Sequence, residues 1–152
     1  IGNNNLLMAY VHVGHDSVIG NNCILVNNAS LAGHVHIGDW VILSGYTLIH
    51  QYCKIGTHAF TGMSTGITMD VPAYVTVAGT PSKPVSINAE GLKRRGFSAE
   101  SITELKRAFK TLYRKKLSLD EATSELSKMA ESSEEVAIML ASIQQSDRGI
   151  MR

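Results

Sequence analysis

The chain has 152 residues, enough for one domain or for one domain with an appendage. Its formal net charge of +1 gives no electrostatic reason to expect nucleic acid or a membrane surface as a partner, and its apolar runs are too short for a membrane span. Residues 1–84 contain only five charged side chains, namely Asp16, Asp39, Lys54, Asp70 and Lys83. The composition changes near Pro81 and Pro84, which predicts a domain boundary between residues 84 and 85.

A six-residue repeat fills the first part of the chain. Written in sixes from Ile1, the first position is a branched aliphatic in eleven of twelve hexads, and Thr61 is the exception. The fifth position is small or β-branched in nearly every hexad, and the second is Gly in six. Neither a helix nor a plain strand has this period. It predicts an all-β solenoid over residues 1–84, a left-handed parallel β-helix of hexapeptide repeats.

The repeat also predicts where each side chain lies. The first and fifth positions should fill the interior of a triangular prism, and Gly at the second should supply turn conformations that side chains resist. Three hexads make one coil, so residues 18 apart should stack about 4.8 Å apart. Cys23 and Cys53 occupy fifth positions and are expected as reduced core residues of a cytosolic protein. Because Ile1 already lies inside a repeat, we expect an N-terminal segment to be missing.

The second part of the chain, residues 85–152, is predicted to be an α-helical domain that caps the solenoid. Ser98 is the expected N-cap of a first helix, and capping boxes at 118–121 and 132–135 open two more. Each helix has one apolar face, best read as packing surface. The faces consist of Ile102, Leu105, Phe109 and Leu112; of Ala122, Leu126 and Met129; and of Val136, Met139, Leu140 and Ile143.

Six histidines are present, and none occupies a first or fifth position. All should therefore point out of the prism or lie at its turns. His36 and His58 are interpreted as ordinary exposed polar residues. Among the other four histidines, the 18-residue stacking predicts a common polar strip about two coils tall. The strip contains His15, Asp16, Gly33, His34, His50 and Gln51. The strip offers a general base, a carboxylate to orient it and a backbone N–H, which are the parts of an acyl-transfer site.

Two other interpretations of this strip remain open. Clustered histidines can bind zinc, as in a β-helical carbonic anhydrase, although Asp16, Gln51 and Gly33 suit hydroxyl activation better than a closed ligand set. The solenoid can also be a non-catalytic scaffold, which would leave its chemically varied polar strip unexplained.

Five segments, in order, resemble the UDP-N-acetylglucosamine acyltransferases of lipid A (lipopolysaccharide) synthesis. They are His12 to Asp16, Leu31 to His34, His50 to Cys53, Asp70 to Pro72 and Glu90 to Phe97. The last segment is the most discriminating, because other hexapeptide acyltransferases do not usually carry it. The resemblance covers essentially the whole chain. The N-terminal repeats of the family, which contribute to the family's substrate site, are absent from this chain.

The resemblance implies a cytoplasmic homotrimer with sites between neighbouring prisms. Acyl carrier protein would deliver a 3-hydroxyacyl chain on its phosphopantetheine arm to the glucosamine 3-hydroxyl, without a cofactor or metal. His15 matches the family's general base, Asp16 its supporting carboxylate and Gly33 the oxyanion amide. The residues that match substrate contacts are His12, His34, His50 and Gln51 near the sugar, diphosphate and pantetheine, and Asn88, Glu90, Arg94 and Arg95 at the nucleotide end.

Met63 occupies the third position of its hexad, and Gly45 lies one coil below it. In the resembling family the matching position measures the acyl chain, and Gly there admits a hydroxymyristoyl chain. Met63 is therefore expected to select a medium chain of hydroxydecanoyl size. Packing at a trimer seam is the alternative role of this side chain.

Overall fold

The computed structural model describes residues 1–152 and confirms the predicted left-handed β-helix with a helical C-terminal part. Each of the first eleven strands contains two residues and ends at the first position of a hexad. In chain order they are β1 (Leu6–Leu7), β2 (His12–Val13), β3 (Val18–Ile19), β4 (Ile24–Leu25), β5 (Ser30–Leu31), β6 (His36–Ile37), β7 (Ile42–Leu43), β8 (Leu48–Ile49), β9 (Lys54–Ile55), β10 (Phe60–Thr61) and β11 (Gly66–Ile67).

Every third strand stacks in parallel, which gives the prism three faces. Face 1 contains β1, β4, β7 and β10; face 2 contains β2, β5, β8 and β11; face 3 contains β3, β6 and β9. Partners are 18 residues apart, as Leu7 with Leu25 and Leu25 with Leu43. The spacing falls to 16 where Ile55 pairs with Val71, so the regular repeat ends near the predicted position.

The interior is filled as the repeat predicts. First-position residues from Ile19 to Ile67 and fifth-position residues from Cys23 to Val71 are buried. The turns differ from the prediction, because the residues with positive φ occupy the fourth position in every hexad from Asn4 to Ser64. The second-position glycines serve close approach instead: an added Cβ on Gly56 would lie 2.3 Å from the backbone nitrogen of Ala73. Assigning the turn conformation to these glycines was wrong.

Two longer strands and four helices close the solenoid. They are β12 (Val75–Ala78), β13 (Lys83–Ile87), α1 (Ala89–Arg94), α2 (Ala99–Tyr113), α3 (Leu119–Ala130) and α4 (Glu134–Gln144). β12 continues face 1, and β13 pairs antiparallel to it. Because β13 spans residues 84 and 85, the two-domain division stays a prediction. One hydrophobic cluster runs from Ile19 to Met151, so the solenoid and the helices share a core.

The helix starts follow from capping. Ser98 caps α2 as predicted, and Ser118 with Glu121 forms the predicted capping box of α3. The second predicted box is wrong, because Ser133 is the N-cap of α4 and its side chain accepts from the N–H of Val136. The short helix α1, capped by Asn88, was not predicted. No helix combines the length and the apolarity that crossing a bilayer requires.

Candidate active site

The corner between faces 2 and 3 brings His15 and Asp16 together. His15 Nδ1 lies 2.9 Å from Asp16 Oδ2. A carboxylate only accepts hydrogen bonds, so Nδ1 carries the hydrogen, and in the neutral imidazole Nε2 then has a free lone pair. The side chains are 76% and 67% exposed, which leaves this nitrogen open to a ligand. The pair therefore has the arrangement of a general base and its orienting carboxylate.

Gly33 stacks directly on His15. An added Cβ at Gly33 would lie 2.7 Å from His15 Nε2, so a side chain here would displace the imidazole. The N–H of Gly33 makes no hydrogen bond within the chain, a property it shares with most third positions of the repeat. A free donor therefore lies beside the basic nitrogen, as stabilisation of an oxyanion requires.

His34 and Tyr52 extend this cluster along the corner. His34 Nε2 lies 3.7 Å from Asp16 Oδ2, and its ring packs edge-on against His15 with the centroids 5.0 Å apart. Tyr52 stacks on His34 at 4.7 Å. The hydrogen bond from His15, followed by the charge of His34, lowers the pKa of Asp16, which keeps the carboxylate ionised. The ligand atoms of His15, Asp16 and His34 lie within 4.8 Å of one another, close enough to hold a metal ion.

The other predicted residues of the strip lie around this cluster. His50 Nδ1 lies 3.1 Å from the carbonyl oxygen of Gln51, and His12 points outward from β2 without a hydrogen bond to the group. Arg148 was not predicted: it donates to the carbonyl oxygens of Gln51 and Thr68, both at 3.2 Å. No sequence pattern connects the C-terminal tail with a residue 97 positions away. Tyr52, by contrast, could be found from its 18-residue spacing from His34.

A cleft of about 760 Å³ separates face 1 from α1 and α2. Asn88, Glu90 and Arg94 line it, together with Lys106 and Lys110. Three of the four residues predicted for the nucleotide end, Asn88, Glu90 and Arg94, therefore share this surface. Within one chain the cleft lies far from the corner that carries His15. The rim is basic and suits an anionic ligand such as a diphosphate.

Arg95 lies outside the lining of that cleft. Its Nη1 is 3.1 Å from His58 Nδ1, and its guanidinium lies over the ring of Trp40 at 5.3 Å. Burial lowers the pKa of Arg95. The guanidinium therefore already has partners within the chain.

The interpretation of His58 as an exposed residue is wrong. His58 is 9% exposed, because its ring stacks between Trp40 and Tyr74 and is covered edge-on by Phe97. Burial, and then the charge of Arg95, lowers its pKa to about 4. His36 is exposed as expected. The repeat correctly turns His58 away from the prism interior but carries no information about the chain that covers it.

Met63 lies on the corner between faces 1 and 2, and 74% of it is exposed. An added Cβ at Gly45, one coil below, would find its nearest neighbour at 3.5 Å, an ordinary contact. This part of the corner is therefore open. Met63 and His15 lie on different corners of one prism.

Both cysteines are buried and free, as predicted. Burial raises the pKa of both thiols, to about 11 for Cys53. Neither forms a thiolate near neutral pH, so neither is a nucleophile.

The fold and this polar corner define the chain as a hexapeptide-repeat β-helix protein of the bacterial transferase type, whose repeat profile matches residues 1–33. The profile described as UDP-N-acetylglucosamine O-acyltransferase, domain 2, matches residues 70–151, more than half of the chain. The chain belongs to this family.

Named relatives agree with this assignment. Over all 152 residues the chain is 59% identical to the acyl carrier protein–UDP-N-acetylglucosamine O-acyltransferase of Ectopseudomonas mendocina and 60% identical to that of Stutzerimonas stutzeri. It spans about 59% of the length of each. The crystal structure of the Francisella novicida UDP-N-acetylglucosamine acyltransferase matches the whole chain with a TM-score of 0.97 at 45% identity, and the match covers 56% of that structure.

Proposed function

We propose that this protein transfers a 3-hydroxyacyl chain from acyl carrier protein to the 3-hydroxyl of UDP-N-acetylglucosamine, the first step of lipid A synthesis. The observation that carries the proposal is the His15–Asp16 pair against Gly33, in a chain of the UDP-N-acetylglucosamine O-acyltransferase family. The named relatives carry both substrates in their names.

A sugar hydroxyl is a poor nucleophile at neutral pH, so it needs a base. His15 Nε2 removes the hydroxyl proton while the oxygen attacks the thioester carbonyl. The N–H of Gly33 stabilises the oxyanion of the tetrahedral intermediate. The carbon–sulfur bond then breaks, and the proton held by His15 passes to the departing phosphopantetheine thiolate. The thioester is already activated, so no covalent enzyme intermediate is needed.

The proposed substrate contacts fall into two groups, one at the histidine corner and one around α1. His12, His34, His50 and Gln51 contact the sugar, the diphosphate and the pantetheine arm, and Asn88, Glu90, Arg94 and Arg95 serve the nucleotide end. Of this second group, Glu90 and Arg94 have side chains on the basic cleft that are best placed to reach a ligand. The amide of Asn88 caps α1 and donates to the carbonyl oxygen of His58.

The active assembly is a homotrimer in this proposal. The histidine corner, the basic cleft and Met63 lie on different sides of one prism, so neighbouring prisms are needed to join them around one substrate. Face 1 supports this arrangement, because its outward strand residues are apolar. Ile42 and Phe60 line the basic cleft, which leaves Leu6 and Ile24 for contact with a neighbouring prism. The cytoplasm is the proposed location, because acyl carrier protein and nucleotide sugars are found there.

The test of the proposed function is acyl transfer by the full-length gene product, with UDP-N-acetylglucosamine and 3-hydroxyacyl thioesters of acyl carrier protein. In His15→Ala, turnover should fall about 10²–10⁴-fold with folding intact, because the base is lost. His36→Ala is the matched control, since His36 is exposed on face 3. Near-normal turnover in His15→Ala would reject the role of His15, and absence of transfer in the wild type would reject the function.

A metal enzyme is the second candidate, supported by the His15, Asp16 and His34 triad. The dyad is favoured because Gly33, which stacks on His15, supplies a backbone N–H suited to an oxyanion and offers no metal ligand. Metal analysis separates the two. Stoichiometric zinc together with loss of turnover in a chelator would favour the metal enzyme, whereas a metal-free, active protein supports the acyltransferase.

A further inference from the structure

His58 is the centre of an aromatic column on the corner between faces 3 and 1. Its ring is nearly parallel to Trp40 on one side and to Tyr74 on the other, with centroids 6.1 and 5.4 Å away. Phe97 closes the column edge-on at 5.1 Å. The contacts hold the imidazole in one plane and exclude water from it.

The same residue holds both ends of α1. At the start of this helix, Asn88 caps the N–H of Gly91 and donates from Nδ2 to the carbonyl oxygen of His58 at 3.1 Å. At its end, the C-cap Arg95 donates from Nη1 to His58 Nδ1, also at 3.1 Å. A helix of six residues has little stability of its own, so its orientation depends on such attachments.

The imidazole can act only as the acceptor in this contact. A guanidinium has donors and no acceptor, so Nδ1 must present its lone pair and Nε2 must carry the hydrogen. The low pKa of His58, about 4, is consistent with a ring that stays neutral at physiological pH. Arg95 is therefore held by a charge-assisted hydrogen bond and by the face of Trp40.

Glu90 and Arg94 lie on this clamped helix, and both line the basic cleft. We propose that His58 is a positioning residue for acceptor binding, which fixes α1 through its carbonyl oxygen and Nδ1 so that Glu90 and Arg94 meet the nucleotide end of the substrate. This proposal rests on the proposed function. It assigns Arg95 to the clamp, so that Arg95 acts on the acceptor through α1.

Two substitutions of His58 separate the hydrogen bond from the ring. His58→Phe keeps an aromatic ring in the column and removes the acceptor for Arg95. His58→Asn loses the stacking, keeps an acceptor oxygen at nearly the same reach as Nδ1, and tolerates the positive φ of 59° at this position. His36→Phe is the control, because it makes the same chemical change as His58→Phe at an exposed site on face 3.

The measurements are KM for UDP-N-acetylglucosamine, KM for the acyl donor, kcat and Tm, all on the full-length enzyme. In His58→Phe we expect KM for the acceptor to rise about tenfold, with kcat and the donor KM within about twofold of wild type. His58→Asn should restore the acceptor KM and lower Tm. An acceptor KM that stays unchanged in His58→Phe, or that rises equally in both variants, overturns the positioning role.

Glu90→Gln and Arg94→Gln distinguish this result from a failure of the proposed nucleotide site. If neither substitution changes the acceptor KM, the assignment of the cleft is wrong. If both raise it and His58→Phe does not, the cleft stands and only the positioning role of His58 falls. Isothermal titration with UDP alone gives the same comparison should a variant turn over too slowly for kinetics.

Discussion

At the scale of single residues, the histidines show how one side chain takes opposite roles in opposite environments. His15 is exposed and paired with an ionised carboxylate, so its second nitrogen is available to take a proton. His58 is buried beside a guanidinium, so it resists protonation. Both occupy corners of the same prism. What distinguishes them is the chain after the solenoid, because Phe97 and Arg95 cover His58 and leave His15 exposed.

The burial of His58 predicts a pH dependence of stability. Its pKa is about 4 in the folded chain and ordinarily 6.5, so between these values the unfolded chain binds a proton that the folded chain does not. The free energy of unfolding should therefore fall as the pH decreases through this window, by roughly 1–2 kcal/mol between about pH 7.5 and pH 5.

Thermal unfolding of wild type and His58→Phe at several pH values measures this contribution. A phenylalanine side chain does not titrate, so the variant should lose less Tm on acidification than wild type does. His36→Phe should follow wild type, because the exposed His36 has no such burial. Parallel loss of Tm in all three proteins would show that His58 is not the group responsible.

At the scale of the elements, the coils approach so closely that some glycines have no substitute. In Gly56→Ala the new Cβ would lie 2.3 Å from the nitrogen and 2.6 Å from the Cα of Ala73, and backbone atoms cannot move aside cheaply. We expect a loss of about 1–3 kcal/mol in the free energy of unfolding. Gly66→Ala is the matched control, because no atom lies within 4 Å of its new Cβ and the change should stay within about 0.5 kcal/mol.

Differential scanning calorimetry of the two alanine variants gives this comparison directly. Equal melting temperatures for Gly56→Ala and wild type would mean that the last coils can separate without cost, contrary to the tight spacing. A large decrease in the melting temperature of Gly66→Ala would point instead to a general requirement for backbone flexibility at glycine positions.

The elements also show why sequence reasoning succeeded in one half of the molecule. Within the solenoid an 18-residue period relates sequence to space, so the stacking of Gly33 on His15 and of Tyr52 on His34 follows from counting. The contact of Arg95 with His58 spans 37 residues and that of Arg148 with Gln51 spans 97, from chain outside the repeat. Such contacts depend on the docking of the helices, which no period describes.

At the scale of the whole molecule, the apolar residues Leu6 and Ile24 on the outward side of face 1, outside the basic cleft, predict an interface between copies. In Ile24→Glu a charge enters this apolar row, where Ile24 lies on β4 between β1 and β7. We expect the full-length protein to lose its trimer and its activity together, because burying an unpaired carboxylate is unfavourable. Val18→Glu places the same charge on the outward side of face 3, where Val18 is already half exposed, and should leave the trimer intact.

Native mass spectrometry and light scattering report this result. A wild-type protein that is monomeric at working concentrations contradicts the trimer outright. Dissociation caused by Val18→Glu with Ile24→Glu still trimeric would move the interface from face 1 to face 3.

Acyl-chain selection belongs to this same scale, because Met63 and His15 lie on different corners and meet around one substrate only across neighbouring prisms. Met63 projects an unbranched side chain of about the coil spacing above the open position at Gly45. As a ruler it would end the pocket after a medium chain of hydroxydecanoyl size.

In Met63→Gly of the full-length enzyme, the preference between medium and long 3-hydroxyacyl donors should move to the longer one, because each newly buried methylene contributes about 0.8 kcal/mol. Met8→Gly, which changes another exposed Met on the same corner, is the control and should leave the preference unchanged. An unchanged preference in Met63→Gly would make Met63 a seam residue, and the chain length would then be set by another surface of the assembled trimer.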